Sequence, residues 1–455
     1  MHKISLKDFP GLDFGDIRRN ERFVAIIENI TAQPGSSIPK QNDSWYDTKA
    51  TYDFFKNEHV SVADLQRVIE LYGANQLNKP IEEVLIIHDT SDISFNELQA
   101  EGLGYLDSKL GRGIMCHSSI AVSTEGLPLS LMHQHTWTRP LENLDQPAKA
   151  KHNRRFEDKE SYRWYQGITQ VNKLLNTEVQ KIHIADREAD IYELFFCAYE
   201  TNTDLLIRSH YNRNLSNGSQ LWETVGATQA KGEIILNIPD AKGRKKDSVK
   251  ADVRYQLVEI LRPLRSNASY ESVELMAIEI KQTDGDKENA IHWQLLTTME
   301  VKETSDVLKY IKWYTYRWLI ERFHYILKSG TKIEQLQLKQ ASSLQKAIAL
   351  YSIAGFRIMQ LVYQSRIYPA ASCEVVLTKA QWHVLYVLVH RSNDIPLQPP
   401  SLSEAVMWIG RLGGHLGRKS DGPPGLKTVW LGYQRVCDAA NVYELLLNEQ
   451  ILGKG

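Results

Sequence analysis

Two apolar runs in the middle of the chain each stop at an aspartate. Val84-Leu-Ile-Ile-His88 runs into Asp89, and Val179 to Ala185 runs into Asp186. A short apolar run with polar flanks reads as a buried strand, and in the second run Ile182 and Ile184 face one way. Together they commit this part of the chain to an α/β sheet. At the C-terminal end of a buried strand a side chain leaves a rigid scaffold for the crevice where sheet-based active sites lie. An aspartate there can equally end its strand or cap the next helix, and Asp186 does precede a helical segment.

The rest of the 455 residues, enough for about three domains, arranges itself around these strands. Residues 1–75 read as helical. Arg18, Arg19 and Arg22 open a periodic segment that reaches Ile30, and Pro34-Gly35-Ser-Ser-Ile-Pro39 breaks it. Trp45, Tyr52, Phe54 and Phe55 mark a second helix, and the capping box Ser61-x-x-Asp64 starts a third. Such a unit suits a small DNA-binding domain or a plain helical cap. Cys116 to Val122 and Leu127 to Met132 form a hairpin around Thr124-Glu-Gly126, then a helix spans Lys159 to Leu175. Ala189 to Tyr199 reads as a helix and Leu205 to Ile207 as a strand. Residues 211–290 read as an all-β insertion: Asp252 to Ile260 and Glu274 to Lys281 alternate as half-exposed antiparallel strands, with a basic turn at Lys242-Gly-Arg-Lys-Lys246. A strand at His292 to Thr297 and a long helix from Ser305 to Lys328 follow. Beyond them the chain is helical over Leu344 to Ile367, Thr378 to Arg391 and from the capping box Ser401-x-x-Glu404 onward. Pro396 to Pro400 reads as a linker, and Gly410 to Gly432 is Gly-rich and basic, with Arg411, Arg418, Lys419 and Lys427.

Composition excludes several classes. Lys plus Arg is 54 and Asp plus Glu is 55, a net charge of −1, so any nucleic-acid case must rest on local patches. The four cysteines, Cys116, Cys197, Cys373 and Cys437, form no C-x-x-C pair, which argues against a zinc ribbon and for a reducing compartment. No apolar stretch suits a signal peptide or a membrane span, so a soluble cytoplasmic protein is expected. His133-x-His135 puts two imidazoles on one strand face without a third ligand, and reads as surface or core histidines. Gly410-x-x-Gly413-Gly-x-x-Gly417 follows no strand and is not a dinucleotide fingerprint.

The long helix supplies the third acid. At about 100° per residue, Tyr314, Arg317, Glu321, His324 and Lys328 fall within roughly an 80° stripe, while Trp313, Leu319, Ile320, Phe323, Ile326 and Leu327 take the core side. Carboxylates converging from separate elements hold hard divalent cations. Two such ions roughly 3.5–4 Å apart clamp both oxygens of a phosphodiester displacement. Cations beside the acid would hold phosphate oxygens. The bland alternative is a solvated face with an Arg317–Glu321 i,i+4 pair.

Tyr314-x2-Arg317-x3-Glu321-x6-Lys328 resembles the Y-R-E-K signature of the IS-four family of DDE transposases, and Trp313 to His324 is most similar to its Tn-five subgroup. Asp89-Thr-Ser-Asp-Ile-Ser-Phe95 and Asp186-Arg-Glu-Ala-Asp-Ile191 resemble the family's two aspartate regions, and His292 to Thr297 its strand before the catalytic helix. Phe14 to Arg19 and Tyr52 to Asn57 resemble its N-terminal domain, and Gly413 to Gly422 its C-terminal domain. Lys339 and Gln340 depart from it, standing where the close relative has acids.

The resemblance implies an RNase H-like catalytic core with an antiparallel β insertion, flanked by helical ends: residues 1–72 DNA-binding, 73–370 catalytic, 371–455 dimerising. It implies that Asp89, Asp186 and Glu321 bind two Mg²⁺ or Mn²⁺ ions, that Tyr314, Arg317 and Lys328 grip phosphates, and that Trp293 stacks on a flipped base. Arg208, Trp318 and His324 would support the same DNA contacts, and Arg18, Arg19, Arg22, Lys242 to Lys246, Arg418 and Lys419 could neutralise phosphates or simply be solvated. The implied reaction has four steps: water nicks one strand at the transposon end, the freed 3′-hydroxyl forms a hairpin on the other strand, water opens it, and the 3′-hydroxyl attacks target DNA. The implied partners are double-stranded DNA, as inverted-repeat ends and target, and a second copy of the chain, in a bacterial cytoplasm at the nucleoid. A nuclease that cleaves without joining and a domesticated DNA-binding relative without turnover remain the alternatives.

Overall fold

Capping side chains set the start of three of the four N-terminal helices. The computed structural model describes residues 4–77, 81–107, 110–144, 155–237, 248–264, 266, 268–284, 290–418 and 420–452; the basic turn Lys242 to Lys246 and Lys419 lie outside them. Asp16 accepts from the Arg18 N–H ahead of α1 (Ile17–Ala32), Ser44 from the Asp47 N–H ahead of α3 (Trp45–Lys56), and Ser61 and Asp64 close a capping box on α4 (Val62–Gln76). The proline-rich break holds one short extra helix, α2 (Ile38–Gln41).

The sheet begins with a correction. Strand β1 spans Glu83–Ser94 and does not stop at Asp89. After the two-residue β2 (Gly104–Tyr105), β3 (Arg112–Val122) pairs with β1 antiparallel from Leu85↔Val122 to Ser94↔Gly113, so the backbone ladder carries the strand past the end of its apolar half. β4 (Pro128–Trp137) closes the hairpin on β3, and α5 (Tyr162–Leu174) returns the chain to β5 (Gln180–Ala185). α6 (Tyr192–Thr201) then leads to β6 (Asp204–Arg208), and β1, β5 and β6 lie parallel in that order. Val84 to Ile87 and Leu205 to Leu206 are wholly inaccessible, as parallel strands covered on both faces should be.

The insertion is not all β. Among the described residues it holds one helix, α7 (Leu221–Gly226), before β7 (Gly232–Asn237), β8 (Ser248–Leu261) and β9 (Ser272–Gln282). These strands form no separate unit: β10 (His292–Thr297) pairs with both β6 and β9, giving one sheet of ten strands.

The long helix is also broken. α8 (Thr304–Thr315) and α9 (Trp318–Tyr325) meet where Arg317 bonds back to Tyr314 and Leu319 to Tyr316, the tighter 3₁₀ spacing, and a π turn over Ile326–Gly330 ends the segment. α10 (Ala341–Ile367) is buried on nearly every side because it packs against α1, α3, α4 and β4, and against the C-terminal helices. Those are α11 (Lys379–His390), α12 (Leu402–Leu412) and α13 (Leu426–Leu452). The glycine-rich region is explained by packing: a Cβ on Gly432 would collide with the Ile409 carbonyl, so the glycines let α12 and α13 cross backbone to backbone. No described helix is long and apolar enough to cross a membrane, and the four cysteines are buried free thiols.

Candidate active site

Asp89 and Asp186 come from neighbouring parallel strands, close enough for the charge of one to act on the other. Each carboxylate is held by a nearby backbone N–H. Asp89 Oδ1 accepts from Thr90 at 2.9 Å, and Asp186 Oδ1 accepts from Glu188 at 2.9 Å as the cap of a 3₁₀ turn over Arg187–Ala189. Burial and, secondarily, the charge of Asp89 push the Asp186 carboxyl above its usual range, against that hydrogen bond and Arg317. An acid whose pKa rises on folding binds extra protons in the native state, so its ionisation costs stability as pH climbs from the unfolded carboxyl range upward. Asp186→Asn keeps the acceptor oxygen and is therefore expected to raise the urea midpoint at pH 7; a lower midpoint would contradict this electrostatic reading.

α9 packs against β1, but its acid is turned to Arg317 and not to the two aspartates. Glu321 Oε1 is paired with Arg317 Nη2 at 2.7 Å, and Glu321 is 45% exposed. Among the described residues no three His, Cys, Asp or Glu side chains are gathered closely enough to hold one metal ion. The two aspartates nevertheless offer what a hard divalent cation needs: paired oxygen donors whose mutual repulsion such an ion would relieve.

The other residues of the stripe divide between the acidic cluster and the core. Arg317 is mostly buried; burial opposes its charge, but Tyr314, Glu321 and Asp89 outweigh that and raise its pKa. Tyr314, expected on the phosphate-gripping face, is almost fully buried, with its ring edge-on to Trp293 at 5.3 Å, and burial raises its phenol. The half-buried Trp293 therefore rests on Tyr314. His324 is buried with Nδ1 3.6 Å from Asp89 Oδ2. Lys328 pairs with Asp92 at 2.9 Å. Arg208 donates to the His292 carbonyl, and burial, with the charges of Arg187 and Arg317, lowers its pKa.

Trp318 is placed elsewhere. It lines a cleft of about 470 Å³ with Tyr316, Arg322, Tyr363, Arg366 and Lys427, which Trp293 does not line. The 3₁₀ tightening at Arg317 sets the facing of this turn. In the N-terminal helices Arg18 pairs with Asp16 and Arg22 with Asp47, while Arg19 donates to the Phe14 carbonyl. His133 pairs with Glu70 at 2.9 Å, both buried, tying α4 to β4.

Two roles were hidden in the sequence. Asp190, in the same motif as Asp186, is a buried structural acid: Arg213 Nε donates to it at 3.0 Å, and the N–H groups of His210 and Tyr211 donate at 2.7 and 3.0 Å. Arg163, on a helix with no motif, bonds Glu188 and Thr90, the residues whose N–H groups hold the two aspartates. Nothing in residue spacing announces either contact.

Two family models match the chain: one described as transposase DNA-binding over residues 3–60, and one described as the transposase Tn5 dimerisation domain over residues 353–443. Among solved structures, the cryo-EM piggyBac transposase synaptic complex with hairpin DNA aligns over 77% of this chain and 67% of its own, at 10% identity and a TM-score of 0.38, too loose a likeness to carry an argument. Both matched models are transposase models, one at each end of the chain, and together they support a transposase of the Tn5-like, IS-four kind.

Proposed function

We propose that the chain is a cut-and-paste DNA transposase that cleaves transposon ends through a hairpin and joins them to target DNA, working as a homodimer in the cytoplasm. The observation that carries this is the closeness of Asp89 and Asp186 beside the helix that bears Glu321, in a chain whose ends match transposase families. The strand order β4-β3-β1-β5-β6, with β1, β5 and β6 parallel, supports an RNase H-like core. Exposed Trp45 and Tyr46 on α3 near Arg22 support DNA contact by the N-terminal helices. Exposed Val442, Leu445 and Leu446, at i, i+3 and i+4 on α13, support an apolar face for a second copy.

Asp89 and Asp186 would hold Mg²⁺ or Mn²⁺, with Glu321 joining them once it leaves Arg317. The bound ions would supply the Lewis acidity for in-line displacement at phosphorus. Arg317, released by Glu321, and Lys328, released by Asp92, then turn their donors to phosphate oxygens. Trp293 would stack on a base drawn from the duplex, offsetting part of the few kcal/mol that flipping costs. Trp293→Ala is expected to slow hairpin formation and opening by about tenfold or more, the worth of about 1–3 kcal/mol of stacking, while first-strand nicking stays near wild type. Equal loss of both steps would reject the stacking role.

One observation favours the reading without turnover: Glu321 is engaged by Arg317, and no trio of ligands is assembled among the described residues. A labelled end duplex incubated with Mg²⁺ and target DNA separates the readings. Nicks, hairpins and joined products support the transposase, nicks alone a nuclease, and binding without nicks the inactive relative.

A further inference from the structure

We infer that Arg163 is a positioning residue that clamps the two segments carrying the carboxylate pair. It rests on the metal-site reading above and concerns what keeps the pair in register. Asp89 is held by the backbone N–H of Thr90, and Asp186 by the backbone N–H of Glu188. Arg163 grips the side chains of those same two residues: Nε donates to Thr90 Oγ1 at 2.9 Å and Nη2 to Glu188 Oε2 at 2.7 Å.

The guanidinium is itself fixed. Nη1 donates to the Glu160 carbonyl at 3.0 Å, and its plane sits over the rings of Trp137 and Trp164 at 5.6 and 5.5 Å. Thr90 Oγ1 is further tied to His117 Nδ1 at 3.0 Å. Arg163 is only 12% exposed, on a helix packed against β3 and β4, so the clamp is referenced to the sheet. A planar fork donates along two fixed directions at once, whereas an ammonium cannot span both acceptors in this geometry. The clamp thus fixes the spacing of two strands' acids without touching either acid, the role that outer partners play for metal ligands.

The test is Mn²⁺ binding to the full chain by electron paramagnetic resonance, with Mg²⁺ titrations of nicking beside it. Arg163→Lys is expected to weaken Mn²⁺ binding about 10–100-fold, and to raise the Mg²⁺ needed for half-maximal nicking while the rate at saturating Mg²⁺ changes far less. Thr90→Val, which removes one acceptor at nearly constant volume, should move both readouts the same way by less, and covers a folding failure in Arg163→Lys. If Asp186→Asn loses Mn²⁺ while Arg163→Lys and Thr90→Val bind it as wild type does, the clamp is overturned and the metal site stands. If Asp186→Asn binds Mn²⁺ normally, or the wild-type chain binds none, both fall.

Discussion

Alanine at Asp89, Asp186 or Glu321 is expected to lower Mg²⁺-dependent nicking of a transposon end by on the order of a thousandfold or more, with binding to that end retained. The size follows from the role. In the proposed role each acid would contribute oxygen donors to ions that stabilise charge at the reacting phosphorus, and about 4 kcal/mol of such stabilisation corresponds to a thousandfold in rate. End binding is expected to survive because the proposed DNA-binding region at residues 3–60 contains none of these acids. The three variants should differ in one respect. Removing Asp89 or Asp186 relieves repulsion within the pair, while Glu321→Ala frees Arg317 from its ion pair and should tighten end binding if anything. Appreciable cleavage by any one variant, measured on a labelled end duplex, would remove that residue from the metal site.

The largest effect on stability is expected far from chemistry. Arg213→Ala should cost about 3–5 kcal/mol, because the wholly inaccessible Asp190 side chain would lose its partner. Asp190→Ala should cost a similar amount, since it strands the Arg213 guanidinium and the N–H groups of His210 and Tyr211. Replacing both by apolar residues of similar volume should recover much of the loss, as burying the pair carries its own desolvation cost. Urea denaturation measures this directly. A loss below about 1 kcal/mol for Arg213→Ala, the range of an exposed pair, would show that the charges are not coupled as described.

What could be read in advance was whatever local rules control. The caps at Ser61 and Ser401, the β3–β4 hairpin, the buried core strands and the polar alternation of β8 and β9 follow from periodicity and turn chemistry. What could not be read depended on distant partners. β1 runs past Asp89 because β3 pairs with its polar half, which its own sequence does not disclose. Equal steps of 100° assume a continuous α-helix, and a shift to 3₁₀ spacing at Arg317 breaks that assumption. Tyr314 is buried under Trp293, and Trp318 joins a cleft with the C-terminal helices. The site itself was half legible. Asp89 and Asp186 were marked by their strands, but whether Glu321 faces them or its own Arg317 is decided by side-chain pairing.

That choice of partner is also where the account is most exposed. Anomalous diffraction from crystals of the chain with end DNA and Mn²⁺ tests it directly. The account predicts Mn²⁺ within about 2.3 Å of oxygens from Asp89, Asp186 and Glu321 together, with Arg317 turned to a phosphate. Mn²⁺ bound elsewhere, or Glu321 still paired with Arg317 in the loaded complex, would contradict it.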